Sequence, residues 1–204
     1  MKTLEEMETN MRLDDLKQKG GVSEEKKVKK PTLDVEPIQL ELISTDIDRL
    51  YSQIHVYFTH TLGEWEEYMA DRPEEEKRTG SGKKAAVLQK QAAEYIKPLM
   101  RQLKNKSLEP DVLARVAEIA QRMQVRRYRD AQDAYLQLSI GNAPWPIGVT
   151  MVGIHERSAR EKISSSQVAH VLNDETSRKW IQSVKRLMTF AQTKYPPYTL
   201  SQIS

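Results

Sequence analysis

Apolar residues recur at steps of three and four through most of this chain, the period of helices that bury one face. Ile43, Ile47, Leu50, Ile54, Phe58, Leu62, Trp65 and Met69 make the first stripe and predict a helix over about 45–70. Thr45 is its expected cap, with Asp46 and Asp48 in the first turn opposing the helix dipole. Residues 71–84, with Pro73, Gly80 and Gly82, read as a loop. A second helix over about 84–105 carries Leu88, Ala92, Tyr95, Ile96, Leu99 and Leu103 on one face. Pro98 removes a backbone hydrogen bond inside it and predicts a kink. Pro110 suits the first position of a third helix, whose stripe is Leu113, Val116, Ile119, Ala120 and Met123. The pattern resumes at Tyr128, Ala131, Ala134, Tyr135 and Leu138 after the polar stretch 124–127, which favours a break there. Gly141 and Asn142 can supply the left-handed turn that ends this helix. A last helix over about 174–194, capped by Asn173, buries Trp180, Ile181, Val184, Leu187, Met188 and Ala191 and stops at Pro196-Pro197. No strand-rich region or internal repeat is visible, so the expected fold is an all-α bundle of about five helices.

Two stretches stand outside this pattern. Residues 1–37 contain Gly20-Gly21, a Lys-rich run, Pro31 and Pro37, and little apolar periodicity. Such a composition buries too little surface to offset its ordering entropy, so residues 1–40 are expected to be a disordered polar tail and 41–204 the helical domain. Within the tail, Lys26-Lys27-Val28-Lys29-Lys30-Pro31 has the shape of a short nuclear-import signal, or of a solvated linker. The second stretch, 141–173, is a long connection between the last two helices. It holds Gly141, Gly148 and Gly153, places Pro144 and Pro146 around Trp145, and is apolar from Ile147 to Ile154. Long connections without helix or strand of their own are usually functional or disordered, and this one is too apolar to leave wholly in water. It reads either as a hydrophobic flap packed on the bundle or as a presented loop, stiff at the prolines and tight at the glycines.

Charge adds an asymmetry that the net of +3 hides. Residues 1–82 hold 12 Lys/Arg against 19 Asp/Glu, a net of −7, and residues 83–204 hold 20 against 10, a net of +10. The second half therefore projects a positive field of the kind that draws in phosphate backbones or acidic partners. Its clusters are Arg122, Arg126, Arg127 and Arg129; Arg157, Arg160 and Lys162; and Arg178, Lys179, Lys185 and Arg186. Each cluster taken alone can equally be a solvated helix face. The absence of cysteine removes disulfides, thiolate nucleophiles and cysteine-ligated zinc together. No stretch approaches the roughly 20 apolar residues of a membrane span, and the charged N-terminus lacks the apolar core of a signal peptide. A cytosolic or nuclear protein is expected, with no membrane partner.

Catalysis finds no set of residues to carry it. His55 and His60 lie five apart on the first helix, about 140° around its axis, too far to share one metal. His155 stands beside Glu156 and Arg157, an acid–base pair on paper, but without a nucleophile, metal set or phosphate cradle. The glycines of 141–153 form neither G-x-G-x-x-G nor a phosphate-binding loop. Ser164-Ser165-Ser166 reads as a solvated turn. No catalytic residue, metal site or cofactor is expected.

The segment Gly141-Asn142-Ala143-Pro144-Trp145-Pro146-Ile147-Gly148-Val149-Thr150-Met151-Val152-Gly153-Ile154-His155 closely resembles the signature loop of the pre-mRNA-splicing factor 18 family. Arg157, Arg160-Glu161-Lys162-Ile163, Val168-Ala169-His170-Val171-Leu172-Asn173-Asp174-Glu175-Thr176 and Asp133-Ala134-Tyr135-Leu136-Gln137 fit the same family, and the resemblance spans roughly 45–195. Many members carry a longer N-terminal half where this chain has its polar tail, which suggests a truncated piece of a longer protein or a short form. Glu156 adds a negative charge where others often place a small residue. The resemblance implies a five-helix domain that joins the spliceosome for the second transesterification, exon ligation, and helps hold the 3′ splice site. It implies a zinc-knuckle second-step splicing factor and a small nuclear ribonucleoprotein as partners, nuclear localisation, and proximity to pre-mRNA and small nuclear RNA. The loop residues Gly141, Asn142, Pro144, Trp145, Pro146, Ile147, Gly148, Val149, Thr150, Met151, Gly153, Ile154 and His155 are then expected near the splice site, with Arg157, Arg160 and Lys162 close to RNA phosphate. The other reading is a helical adaptor that binds acidic protein partners through its basic faces.

Overall fold

The computed structural model describes residues 35–140 and 174–204. After a single turn α1 (Leu42–Thr45) come α2 (Ile47–Ala70), α3 (Glu74–Arg78), α4 (Gly80–Tyr95) and α5 (Lys97–Asn105). Then follow α6 (Pro110–Gln124), α7 (Tyr128–Ile140), α8 (Glu175–Lys194) and a short 3₁₀ turn, Leu200–Gln202. Among the described residues there is no strand and no helix long and apolar enough to cross a membrane. The architecture is all-α. Its long rods are α2, the bent pair α4–α5, α6, α7 and α8.

Helix ends follow local chemistry and shift several expected boundaries. Asp46, not Thr45, caps α2, its carboxylate accepting the Arg49 backbone N–H at 3.3 Å. Thr45 closes the preceding turn instead, donating to the Glu41 carbonyl. Asp174, not Asn173, caps α8 by accepting the Thr176 N–H at 3.2 Å. The expected loop 71–84 contains α3 and the start of α4. There Thr79 caps α4 through the Gly82 N–H, and a Cβ on residue 82 would meet the Glu76 carbonyl oxygen at 1.9 Å, so only glycine fits this corner. The bend in α4–α5 falls at Ile96, two residues before Pro98, because the proline ring displaces the carbonyl one turn back toward the N-terminus.

The break between α6 and α7 has a defined form. Arg126 takes a left-handed φ of 59°, while Arg127 N–H reaches the Arg122 carbonyl and Arg126 N–H the Met123 carbonyl. Lys106, at φ 56°, ends α5 with the same paired bonds, Ser107 to Gln102 and Lys106 to Leu103. Both are the double-bonded helix terminus usually built on glycine, here made with long basic residues.

One core collects these rods. Leu50, Ile54 and Phe58 of α2 meet Ile96, Leu99 and Leu103 of the bent rod, Val116 and Ile119 of α6, and Leu138 of α7. From α8 come Trp180, Val184, Leu187 and Met188, each at most 1% exposed. Helix α8 lies against α4, α5 and α7, and α2 against α5 and α6. Three stripe positions fall outside this core: Ile43, Ile47 and Leu88 are 37%, 41% and 40% exposed. Periodicity places them beside the apolar face, but no neighbouring helix covers them. Conversely, Val35 and Ile38, inside the stretch whose composition reads as tail, are buried. Their segment is tied down by backbone donors: Ile38 N–H to Gln124 Oε1 at 2.8 Å and Gln39 N–H to Gln53 Oε1 at 3.0 Å. Residues 1–34 lie outside the described residues, and with them the Lys26–Pro31 run.

Candidate functional site

Gly141 to His155, together with Arg157, Arg160 and Lys162, lie outside the described residues, as does the choice between flap and loop for 141–173. The structure describes the frame that holds them. Ile140 ends α7, Asp174 opens α8, and the two helices pack on each other. The Lys185 ammonium of α8 donates to Gln132 Oε1 of α7 and lies 5.9 Å from the centre of the Tyr135 ring. Burial of that amine lowers its pKa. At the α8 start, Asp174 accepts from the Thr176 N–H and the Ser177 hydroxyl, so both carboxylate oxygens fix the chain's entry. The two residues that flank the segment, Ile140 and Asp174, therefore lie on helices packed against each other.

The basic clusters separate once their neighbours are known. Arg126 is turned inward, 4.6 Å from the Tyr198 ring centre and 5.4 Å from that of Tyr195, with a hydrogen bond to the Pro196 carbonyl. Arg127 pairs with Asp130 at 2.6 Å. Lys179 pairs with Glu175, which raises its pKa, and lies 5.2 Å from the Tyr95 ring centre. Arg186 donates to Gln91 of α4 at 2.9 Å. Arg126, Lys179 and Arg186 thus stitch α8 and the C-terminal segment to the bundle, while the Arg127 pair stays at the start of α7. Arg129 and Arg178 are exposed and remain candidates for outside contact.

A polar knot that the sequence did not single out sits at the other end of α8. Glu64, 8% exposed, accepts from Tyr195 OH at 2.6 Å and lies 2.5 Å from His60 Nε2 and 2.7 Å from Lys194 Nζ. Tyr128 OH donates to the Ala191 carbonyl at 3.1 Å and the Tyr195 carbonyl at 2.5 Å, tying the α6–α7 corner to the same place. The knot borders a cavity of about 100 Å³ lined by Tyr57, His60, Thr61, Gln124, Arg126 and Tyr198, among others. Burial raises the phenol pKa of Tyr57, Tyr128 and Tyr195, so their hydroxyls stay protonated above the pH at which a free tyrosine ionises. His60 thus pairs with Glu64 rather than His55; among the described residues no three His, Cys, Asp or Glu side chains converge as a metal set. The spacing of His60 and Glu64, four apart on one helix, was the available signal. Lys194 and Tyr195 become their neighbours only through the fold.

Comparison with known proteins gives a consistent picture. Residues 55–197 match the Prp18 domain. The chain is 53% identical over 135 residues to pre-mRNA-splicing factor 18 of Danio rerio, covering 66% of this chain and 40% of that protein. It is 55% identical over 131 residues to the Xenopus laevis protein of the same name, covering 64% of this chain and 38% of the other. To that of Schizosaccharomyces pombe it is 33% identical over 171 residues, covering 82% of this chain and 50% of the other. The matched stretches span from about 40% to half the length of these relatives. The match over residues 55–197 takes in most of the core helices and the stretch between Ile140 and Asp174, and on that match this chain belongs to the Prp18 domain family.

Proposed function

We propose that this chain is a non-catalytic splicing factor that promotes the second transesterification, exon ligation, by stabilising the position of the 3′ splice site. The observation that carries the reading is the run Gly141–His155, which resembles the family's signature loop and is set between Ile140 and Asp174. A loop presented from two packed helix ends begins and finishes on rigid elements, which suits it to positioning another molecule. Gly141, Pro144, Trp145, Pro146, Gly148 and their neighbours to His155 approach the splice site in this reading. Arg157, Arg160 and Lys162 lie beside RNA phosphate, where contacts position without reading sequence. The zinc-knuckle second-step factor docks on the helices, and the chain works in the nucleus within the spliceosome and its small nuclear ribonucleoproteins. The polar tail precedes the domain and supplies Lys26–Pro31 for import.

Splicing extract depleted of the endogenous factor tests this. Depletion is expected to accumulate lariat intermediate and free 5′ exon, and adding this chain to restore ligated exons. A chain lacking Ile147–Ile154 is expected to keep its helical circular dichroism and fail to restore ligation. Charge reversal of Arg157, Arg160 and Lys162 is expected to impair ligation on every intron, more so as potassium rises, while leaving zinc-knuckle binding intact. Restoration by the loop-deleted chain, or no step-specific block on depletion, would favour the adaptor reading instead.

A further inference from the structure

The back of the bent α4–α5 rod carries a row of cations, most of which the fold does not use. At about 100° per residue, Ala92, Ile96, Leu99 and Leu103 share the side of the rod that faces the core, and all four are buried. Directly opposite lie Lys83, Lys90, Lys97, Arg101 and Lys104, with Val87 and Glu94 between them, and every one is exposed. Lys97 pairs with Glu94 at 2.5 Å on the open surface. Among the described residues, Lys83, Lys90, Arg101 and Lys104 have no carboxylate partner. Residues 83–106 hold seven Lys/Arg and one acid, a net of +6. Much of the asymmetry between the two halves of the chain is concentrated here.

The shape of the row says what it fits. From Lys83 to Lys104 it runs ~32 Å, with cations every ~5–11 Å along the axis. A protein interface is expected to have an apolar core that loses its charges; here Val87 is the one strongly exposed large apolar side chain, and the groove beside Lys90 and Lys97 adds only Met69 and small alanines among charged residues. A narrow, almost purely cationic track along the rod instead matches a polyanion whose charges recur along its length. Its flank joins the start of α8, where Lys179 lies against Tyr95 and Arg186 bonds Gln91. The track thus passes within a few turns of Asp174, the first described residue after the stretch that bears Arg157, Arg160 and Lys162.

We propose that the outward face of α4–α5, Lys83 to Lys104, is a sequence-independent track for the phosphate backbone of single-stranded RNA. The choice of RNA rests on the splicing reading above; the track itself rests on the exposure and register of its cations. Neutralised phosphates release counterions, so affinity should fall with salt, with a log–log slope of about −0.7 per contact for single strands.

The test is fluorescence anisotropy of a labelled uridine 20-mer with the whole chain across a salt series. The wild-type chain is expected to bind, and K83Q/K90Q/R101Q/K104Q to bind about ten- to a hundredfold more weakly, with a slope shallower by about 3. Its helical circular dichroism should match wild type, because all four positions are exposed. Equal binding by the variant and the wild type, or no binding by either, overturns the track. If R157Q/R160Q/K162Q abolishes binding while the quadruple variant does not, the loop reading stands and the track falls. If a polyglutamate peptide binds through the four cations and the uridine 20-mer does not, the rod is a seat for an acidic protein segment and the proposal fails.

Discussion

Alkaline pH should unfold this protein steeply, because it buries phenols that the unfolded chain would ionise. Tyr57 is 7% exposed and Tyr128 fully buried, and burial, the main cause in both, pushes their pKa up. In the unfolded chain a tyrosine ionises near pH ~10. Below that value both states hold the phenolic proton and the contribution to stability is complete. Above it the unfolded state binds fewer protons than the folded one, so stability falls as pH rises. Each phenol kept neutral costs about 1.4 kcal/mol by pH ~11, and two cost about 2.8 kcal/mol, against a total stability on the order of 5–15 kcal/mol. Tyr195 is more solvated and adds a smaller amount. Urea unfolding followed by circular dichroism at pH about 9, 10 and 11 measures the slope, and tyrosinate absorbance reports when the phenols ionise. Lysines also titrate in this range, so the decisive quantity is a difference. The chain with Tyr57→Phe and Tyr128→Phe should lose about 2.8 kcal/mol less than wild type between pH ~9 and ~11. Its stability at neutral pH should be lower by about 1–2 kcal/mol, for the lost Tyr128 hydrogen bonds to Ala191 and Tyr195. If all eight tyrosines ionise near pH ~10 with the helical signal intact, or both proteins show the same slope, the reasoning is wrong.

Three further outcomes follow from packing and strain. Trp180→Ala should destabilise by about 3–5 kcal/mol in urea unfolding, because a fully enclosed indole leaves a cavity that rigid helices cannot close. Glu64→Ala should cost about 2 kcal/mol, mainly from the Tyr195 hydroxyl left without its carboxylate, since His60 and Lys194 are 41% and 34% exposed and regain water. Glu64→Gln, which keeps an acceptor, should cost less. Lys106→Gly should raise stability by about 0.5–1 kcal/mol, read as a higher thermal midpoint, because glycine takes a φ of 56° without the Cβ penalty. The bridge from Lys106 to Asp48 that it removes is exposed and contributes little.

Local pattern was enough for what is local. The period of Leu50, Ile54, Phe58 and Trp65, or of Trp180, Val184, Leu187 and Met188, marks a helix and its buried face before any neighbour is known. Pro110 and the polar stretch 124–127 marked ends, because backbone restriction and side-chain competition act within a few residues. The run Gly141–His155 identified the family in the same way, as contiguous chemistry. Boundaries one or two residues wide were not legible: Asp46 against Thr45, and Ile96 against Pro98, depend on which of two adjacent groups completes a hydrogen bond. Partnership across the fold was least legible of all. Tyr195 meets Glu64 from 131 positions away and Arg186 meets Gln91 from 95. Contacts of this kind commit some cations, Arg186 and Arg126 among them, to holding the fold together. The back of α4–α5 stays solvent-exposed, bordered by α2 only along the groove where Lys90, Glu94 and Lys97 face Glu66 and Met69. The sequence by itself thus determined helix, core face and family. Only the tertiary structure decided which charges the fold uses, since the energy of a charge depends on what is brought beside it and how far water is excluded.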